Sequence, residues 1–84
     1  MPATLISRDR FVELVVWELP APMPRSTHRF KYRLALIVDG VCVLRYDNEA
    51  GKGDHKHIGD GEIPYPFTDL VRLAQDFWAD VSRM

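Results

Sequence analysis

The sequence predicts an α+β fold, in which a small antiparallel sheet of three to four strands carries a C-terminal amphipathic helix packed on one face. Two segments, residues 10–19 and 29–38, are rich in the β-branched and aromatic residues that favour strands. The second segment alternates apolar and basic side chains, as a half-buried strand does. From about Pro66 the apolar residues instead recur every three or four positions, which is typical of an amphipathic helix.

The Asp-Gly pair at residues 39–40 lies between two apolar runs and predicts a two-residue hairpin turn. A type I′ turn needs positive φ at both central residues, and this pair adopts such values readily. A loop of that length pairs Leu34 with Arg45 and Tyr32 with Asp47. The end of the hairpin away from the turn is therefore its charged end.

Prolines and the charged residues at the helix ends indicate where the remaining elements begin and end. Three prolines interrupt the chain after the first strand, so residues 20–28 are predicted to be a flexible loop, as are residues 1–8. Residues 56–58 could form another short strand. Asp69 is expected in the first turn of the helix and Arg83 in the last, where the helix dipole favours these charges.

Length and composition indicate one domain over residues 1–84, with 46% hydrophobic and 27% charged residues. No signal peptide is recognised and no apolar run approaches the ~20 residues of a membrane span, so we expect a cytoplasmic protein with no membrane contact. The single cysteine, Cys42, is predicted to be a reduced core thiol. Trp17, Phe77 and Trp78 are also predicted to lie in the core rather than to stack on bases.

The net charge of −1 conceals an uneven distribution. Residues 19–46 carry five basic side chains against Asp39 alone, whereas residues 47–62 carry five acidic and two basic ones. These segments could neutralise each other in the fold, or the basic strands could meet a phosphate backbone. The candidate nucleic-acid-binding residues are Arg29, Lys31, Arg33, Arg45, Tyr46 and Lys56.

The loop after the hairpin contains the residues best suited to chemistry. His55 and His57 are two positions apart, so in an extended backbone both imidazoles point to the same side. A free imidazole exchanges a proton near neutral pH. Asp54 could orient one imidazole, and Lys52, between two glycines, could hold a phosphate together with Lys56. The candidate catalytic residues are Lys52, Asp54, His55 and His57.

A base, an acid and a cation are the parts needed to cleave RNA without a metal ion. Two alternatives stay open. His55 and His57 could form a mixed nitrogen–oxygen metal site with Asp47, Glu49 or Asp54, although our prediction includes no metal and no other cofactor. The same residues could also be structural, with the Asp and His side chains capping turns and the lysines solvated.

Five short motifs cover much of the chain: Tyr32-Arg33-Leu34, Val38-Asp39-Gly40, Arg45-Tyr46-Asp47-Asn48, the run from Gly51 to His57, and Tyr65-Pro66-Phe67. Together they resemble the TumE-like family of small toxin components from bacterial and archaeal toxin–antitoxin pairs. The resemblance covers roughly residues 28–82 and does not include the N-terminal strand. Its most specific element is the Tyr-Asp-Asn…Gly-Lys-Gly-Asp-His-x-His sequence.

The resemblance implies a toxin that slows growth by attacking or blocking translation, and a DNA-binding antitoxin that neutralises it. Combined with the chemistry of the loop, it predicts a toxin that inhibits translation by acting on RNA as a metal-independent endoribonuclease. The alternative is a non-catalytic module that binds RNA, the ribosome or a protein. In a third interpretation the basic strands dock the antitoxin or a second copy of the chain, as in a homodimer.

Overall fold

The computed structural model describes residues 3–7, 9–22, 28–49 and 53–84. Within these ranges the chain forms six strands and one helix: β1 Ala3–Ser7, β2 Arg10–Glu18, β3 Phe30–Val38, β4 Val41–Glu49, β5 Gly53–Ile58, β6 Gly61–Pro64 and α1 Leu70–Arg83. Each strand pairs antiparallel with the next, so the order of the strands in the sheet follows the chain. The α+β class and the C-terminal helix are confirmed, but the predicted number of strands is too low.

The additional strands lie where hydrophobic periodicity is weak. β1 falls in the N-terminal segment that the sequence predicts to be flexible, and the structure pairs its Ala3 with Glu13 of β2. β5 extends further than residues 56–58 and pairs with β6 after a turn in which Gly59 has a φ of 57°. Both β5 and β6 are largely polar or bounded by proline. An alternating hydrophobic pattern therefore does not reveal them.

The strands with strong apolar patterns agree with the prediction to within one residue, and so does the turn between β3 and β4. Asp39 has a φ of 51° and Gly40 a φ of 80°. These left-handed values are the ones that a type I′ turn requires.

A β-bulge follows the turn and changes the register of the hairpin. Ile37 pairs with Cys42, but the next residue along β3, Leu36, pairs with Leu44. Val43 is therefore the extra residue on β4. A bulge of this kind inserts one residue into one strand and leaves the partner strand unchanged.

Because side chains alternate between the faces of a strand, this single insertion reverses the face of every later β4 residue relative to β3. The predicted pairings of Leu34 with Arg45 and of Tyr32 with Asp47 are therefore wrong. Asp47 lies opposite Arg33, and Tyr46 lies opposite Leu34. Acidic Asp47 therefore shares a face with the basic residues of β3, while Tyr46 shares the face with the core.

One face of the sheet packs against α1 and forms the core. The buried cluster comprises Val12, Tyr32, Leu34, Leu36, Leu44, Tyr46, Tyr65, Leu73, Phe77 and Val81. Phe77 is a core residue, as predicted. Trp17 and Trp78 are 53% and 40% exposed, so their predicted burial is wrong. Cys42 is also exposed, because it lies beside the hairpin turn, opposite Ile37 on the face away from the helix.

The helix begins at Leu70, later than the apolar pattern suggests. Asp69 is its N-cap, with a side chain that accepts a hydrogen bond of 2.8 Å from the backbone N–H of Arg72. Asp69 thus precedes the first turn instead of lying within it, and it satisfies one of the unpaired amides there. Arg83 lies in the last turn, as predicted. The 14 residues of α1, the one helix in the described ranges, are too few to span a membrane.

Asp80 joins the helix to the strands beneath it. Its carboxylate accepts hydrogen bonds from the hydroxyl of Tyr46 and from Nζ of Lys56 at 3.0 Å, and Arg83 lies 3.1 Å away. Burial alone would raise the pKa of Asp80, but these hydrogen bonds and the charges of Lys56 and Arg83 outweigh it and lower the pKa. Burial, together with the hydrogen bond to Asp80, raises the pKa of Tyr46.

We expect Asp80→Ala to lower the free energy of unfolding by about 2–4 kcal/mol, because it removes the carboxylate that accepts from Lys56 and Tyr46. The carbonyl oxygen of Asp76, 3.3 Å from the Tyr46 hydroxyl, replaces this acceptor only in part. Urea denaturation at neutral pH measures this loss, with Asp60→Ala in the exposed β5–β6 turn as control.

Since the pKa of Asp80 is lower in the folded than in the unfolded chain, its charge stabilises the fold above about pH 4, and this stabilisation is lost as the pH falls further. The difference in the free energy of unfolding between wild type and Asp80→Asn should therefore be smaller at pH 3 than at pH 7. An equal difference at pH 7 and pH 3 would contradict the assignment.

Candidate functional site

The face of the sheet away from α1, here called the open face, carries a compact group of ionisable side chains. Cross-strand pairing aligns Asp47 with His55, and Arg45 with His57, which in turn pairs with Glu62 of β6. Directly paired residues of neighbouring strands point to the same face. These five residues, Arg45, Asp47, His55, His57 and Glu62, are called the histidine cluster below.

His55 has a close neighbour at each ring nitrogen. Its Nδ1 lies 3.1 Å from the carbonyl oxygen of Gly53, which can only accept, so Nδ1 carries a proton. Its Nε2 lies 2.7 Å from Oδ1 of Asp47. This is an ion-pair distance without hydrogen-bond geometry, because the buried Oδ1 of Asp47 has no hydrogen-bond partner among the described residues. Because only 5% of His55 is exposed, its orientation is closely defined by these neighbours.

His57 is the more accessible imidazole, with 23% of its side chain exposed. Nη2 of Arg45 lies 3.0 Å from Nε2 of His57, and Nε of the same guanidinium lies 3.0 Å from Oδ2 of Asp47. A guanidinium only donates, so Nε2 of His57 is unprotonated and its electron pair accepts from Arg45. Nδ1 lies 3.6 Å from Oε2 of Glu62. The two imidazole rings are 4.9 Å apart, which confirms that both point to the same side.

Two of the predicted cations lie on the open face beside the cluster. Arg33 is the cross-strand partner of Asp47, and its guanidinium lies 3.6 Å from Oε2 of Glu13. Lys31 is exposed one step further along β3. Arg29 precedes β3 and forms an exposed ion pair of 3.3 Å with Glu18. With Arg45 and the two histidines, the open face thus gathers five of the ten predicted site residues in one area.

Asp54 lies on the opposite face, towards the helix. Its carboxylate accepts a hydrogen bond of 2.8 Å from the hydroxyl of Tyr32 and lies 2.9 Å from Nε2 of His28. Burial raises the pKa of Tyr32, and the hydrogen bond to Asp54 raises it further. Asp54 therefore contacts the imidazole of His28 and not that of His55, because adjacent residues of a strand point to opposite faces. Asp47 takes the position next to His55.

The other predicted residues are also away from the open face or outside the described ranges. Lys56 pairs with Asp80 beneath the helix, and Tyr46 is 1% exposed within the core, so its ring cannot stack on a ligand. Lys52 lies outside the residues that the structure describes, and its role stays a prediction from the sequence.

Three residues of the open face were not assigned to RNA chemistry by the sequence reasoning. Asp47 entered it only as a candidate metal ligand, because the hairpin register without the bulge places it opposite Tyr32. Glu62 follows a glycine in a segment without strand character. Trp17 occurs in an apolar strand, where an aromatic residue is expected to be buried, and no local pattern indicates that it is exposed.

The histidine cluster also has the composition of a metal site. One ligand atom each from Asp47, His55 and His57 can be chosen so that all three lie within 4.8 Å of one another. The contact from Nδ1 of His55 to the carbonyl of Gly53 is of the kind that orients metal-binding histidines. The arrangement can therefore transfer protons or hold a transition metal, and the metal alternative now has Asp47 as its carboxylate.

A sequence comparison defines the family. The family model described as toxin TumE matches residues 3–84. The match covers the motifs of the central strands and also the N-terminal strands, which the resemblance noted from the sequence did not include. Neither a curated protein nor a solved structure matches the chain.

Proposed function

We propose, from the premise that this chain belongs to the TumE toxin family, that it inhibits translation by cleaving RNA at the histidine cluster without a metal ion. The observation that carries the proposal is the pair of imidazoles 4.9 Å apart on an open sheet face. Nε2 of His57 accepts a hydrogen bond from the guanidinium of Arg45. Nε2 of His55 faces the buried carboxylate of Asp47. A family of toxins implies an antitoxin partner, which we propose to be a DNA-binding protein.

In this mechanism the free electron pair on Nε2 of His57 takes the proton of a 2′-hydroxyl. The 2′ oxygen then forms a bond to phosphorus while the bond from phosphorus to the 5′ oxygen breaks. Arg45 turns from Nε2 of His57 to the phosphate, where its fixed positive charge stabilises the charge that develops. The products are a 2′,3′-cyclic phosphate and a 5′-hydroxyl.

His55 acts in its imidazolium form: Nε2–H turns from Asp47 to the leaving 5′ oxygen and transfers its proton, while Nδ1–H stays on the carbonyl of Gly53. Asp47 balances the charge of the imidazolium before the transfer. Glu62 covers this position, because its Oε1 lies 4.0 Å from Nε2 of His55 while its side chain is 48% exposed. We therefore propose that Glu62 moves aside when RNA binds. Each well-placed proton-transfer group of this kind contributes roughly 10²–10⁴-fold to a rate.

Asp54, Lys56 and Tyr46 have structural roles in this proposal, since their partners lie between the sheet and the helix. The RNA backbone instead meets Lys31 and Arg33, which adjoin the cluster on the open face. Lys52, which follows β4, is retained as a candidate phosphate ligand on the sequence alone.

Induced expression separates this enzyme from the alternative, a module that binds RNA, the ribosome or a protein without breaking a bond. Wild type should arrest growth and degrade cellular RNA, whereas the double variant His55→Ala, His57→Ala should do neither. Arrest by wild type with intact RNA, and binding that weakens steeply with salt, would favour the binding module. Undiminished RNA degradation by a folded double variant would exclude the histidine cluster as the catalytic site.

A further inference from the structure

Trp17 has an unusual position for a tryptophan in an apolar strand. It lies on the open face of β2 and is 53% exposed, so it contributes little to the core beneath the helix. Its cross-strand partner is Lys31, whose Nζ lies 6.0 Å from the centre of the indole. A large aromatic surface is thus exposed to solvent beside a cation, at a position where β2 is paired with β3.

The surface around Trp17 forms a cavity of about 360 Å³, here called the Trp17 cavity, whose lining includes Lys31, Arg33 and Asp47. Asp47 is the one carboxylate among its described lining residues, and it is 6% exposed. Lys31 forms no ion pair with any carboxylate whose side chain the structure describes. Arg33 lies 3.6 Å from Glu13, so Lys31 supplies the unpaired positive charge of the cavity, and the indole of Trp17 is its largest exposed apolar surface.

The Trp17 cavity lies on the same face of the sheet as the histidine cluster and adjoins it. Arg33 and Asp47 are cross-strand partners, so the cavity and the cluster share a boundary at Asp47. Trp17 on β2 is three strands away from His55 on β5, which corresponds to about 14 Å across the sheet. A chain of a few nucleotides laid across the open face would pass over both.

We propose that Trp17, Lys31 and Arg33 form a subsite for one unpaired nucleobase and its flanking phosphates in single-stranded RNA. The base stacks on the indole of Trp17, and the two cations contact the phosphates. Bases stack on aromatic side chains in this way only where they are free of a duplex, and basic grooves with exposed aromatic residues are typical of proteins that bind single strands. The proposal rests on the proposed action on RNA and specifies the structural class of that substrate.

Intrinsic fluorescence tests the stacking directly, because the chain has two tryptophans and each can be isolated. The variant Trp78→Phe keeps Trp17 as its only tryptophan, and Trp17→Phe keeps Trp78 on α1. Each is titrated with a 2′-O-methyl RNA oligonucleotide, which lacks the attacking hydroxyl and stays intact. Saturable quenching is expected for Trp78→Phe but not for Trp17→Phe. No change in the fluorescence of Trp17 while the oligonucleotide binds would overturn the proposal.

Affinity for the same oligonucleotide, measured by fluorescence anisotropy of a labelled strand, gives a second readout. Trp17→Ala should bind roughly 5- to 150-fold more weakly than wild type, and Trp17→Phe should keep part of the affinity because phenylalanine still stacks. An RNA duplex should bind without quenching Trp17. Unchanged affinity of Trp17→Ala, accompanied by loss of its complex with the co-expressed neighbouring gene product, would reassign the cavity to protein docking.

These measurements are independent of catalysis. If natural RNA stays intact but Trp17 is quenched and Trp17→Ala binds weakly, the subsite stands and the cleavage mechanism fails. If RNA is cleaved at the same rate and with the same affinity by Trp17→Ala, the subsite fails and the mechanism stands.

Discussion

The single substitution His57→Ala should lower the rate of RNA cleavage by the purified protein by about 10²–10⁴-fold. His57 is the imidazole that a ligand can reach, and its Nε2 is an acceptor because the group beside it, Arg45, can only donate. No other acceptor in the histidine cluster combines exposure with a free electron pair on nitrogen. Initial rates on a fluorogenic RNA oligonucleotide measure the effect.

The fold should survive this substitution. His57 contacts Arg45 and Glu62 at the surface of the sheet, and partly exposed contacts of this kind contribute about 1 kcal/mol or less. A thermal unfolding midpoint within a few degrees of wild type serves as the control. A folded variant that cleaves RNA at the wild-type rate would remove His57 from the mechanism.

The second large effect is a contrast between two aspartates that lie on opposite faces of the sheet. Asp47→Asn should reduce the rate at least about 100-fold, because an amide neither balances the charge of protonated His55 nor fixes its ring in the same way. Asp54→Asn should stay within about twofold of wild type, since an amide oxygen still accepts the hydrogen bond from Tyr32.

This pair of variants is matched, because both exchange a buried or half-buried carboxylate for its amide near the same β4–β5 connection. Urea denaturation of both proteins separates lost stability from lost activity. If Asp54→Asn were inactive and Asp47→Asn active, the functional site would lie between the sheet and the helix.

The elements with strong periodicity could be predicted from the sequence. The alternation over residues 29–38, the Asp-Gly turn and the apolar stripe of α1 are local patterns, and each corresponds to an element of the structure. β5 and β6 could not be recognised in this way. Their residues are polar or proline-bounded, and they are strands because β4 offers an edge to pair with, which is a tertiary effect.

The position of the site depends on how neighbouring strands pair, which local sequence patterns do not show. The period of a strand was enough to place His55 and His57 on the same side. Their carboxylate could not be chosen, because the register of β4 with β5 pairs Asp47 with His55, and the bulge at Val43 places that pair on the face of Arg33. Because side chains alternate along β5, His55 and His57 lie on one face and Asp54 and Lys56 on the other. Residues adjacent in the sequence are therefore not adjacent in the site.

The chemical ends left on cleaved RNA test the central claim most directly. Purified wild-type protein, treated with EDTA, is incubated with an RNA oligonucleotide and with a copy that has one 2′-deoxynucleotide at the cleavage position. Proton transfer by the histidine cluster predicts cleavage of the RNA to 2′,3′-cyclic phosphate and 5′-hydroxyl ends, and no cleavage of the substituted copy. Activity that disappears with EDTA, returns with Mn²⁺ or Zn²⁺ and acts equally on the deoxy copy would contradict it. That result would make Asp47, His55 and His57 ligands of a metal ion.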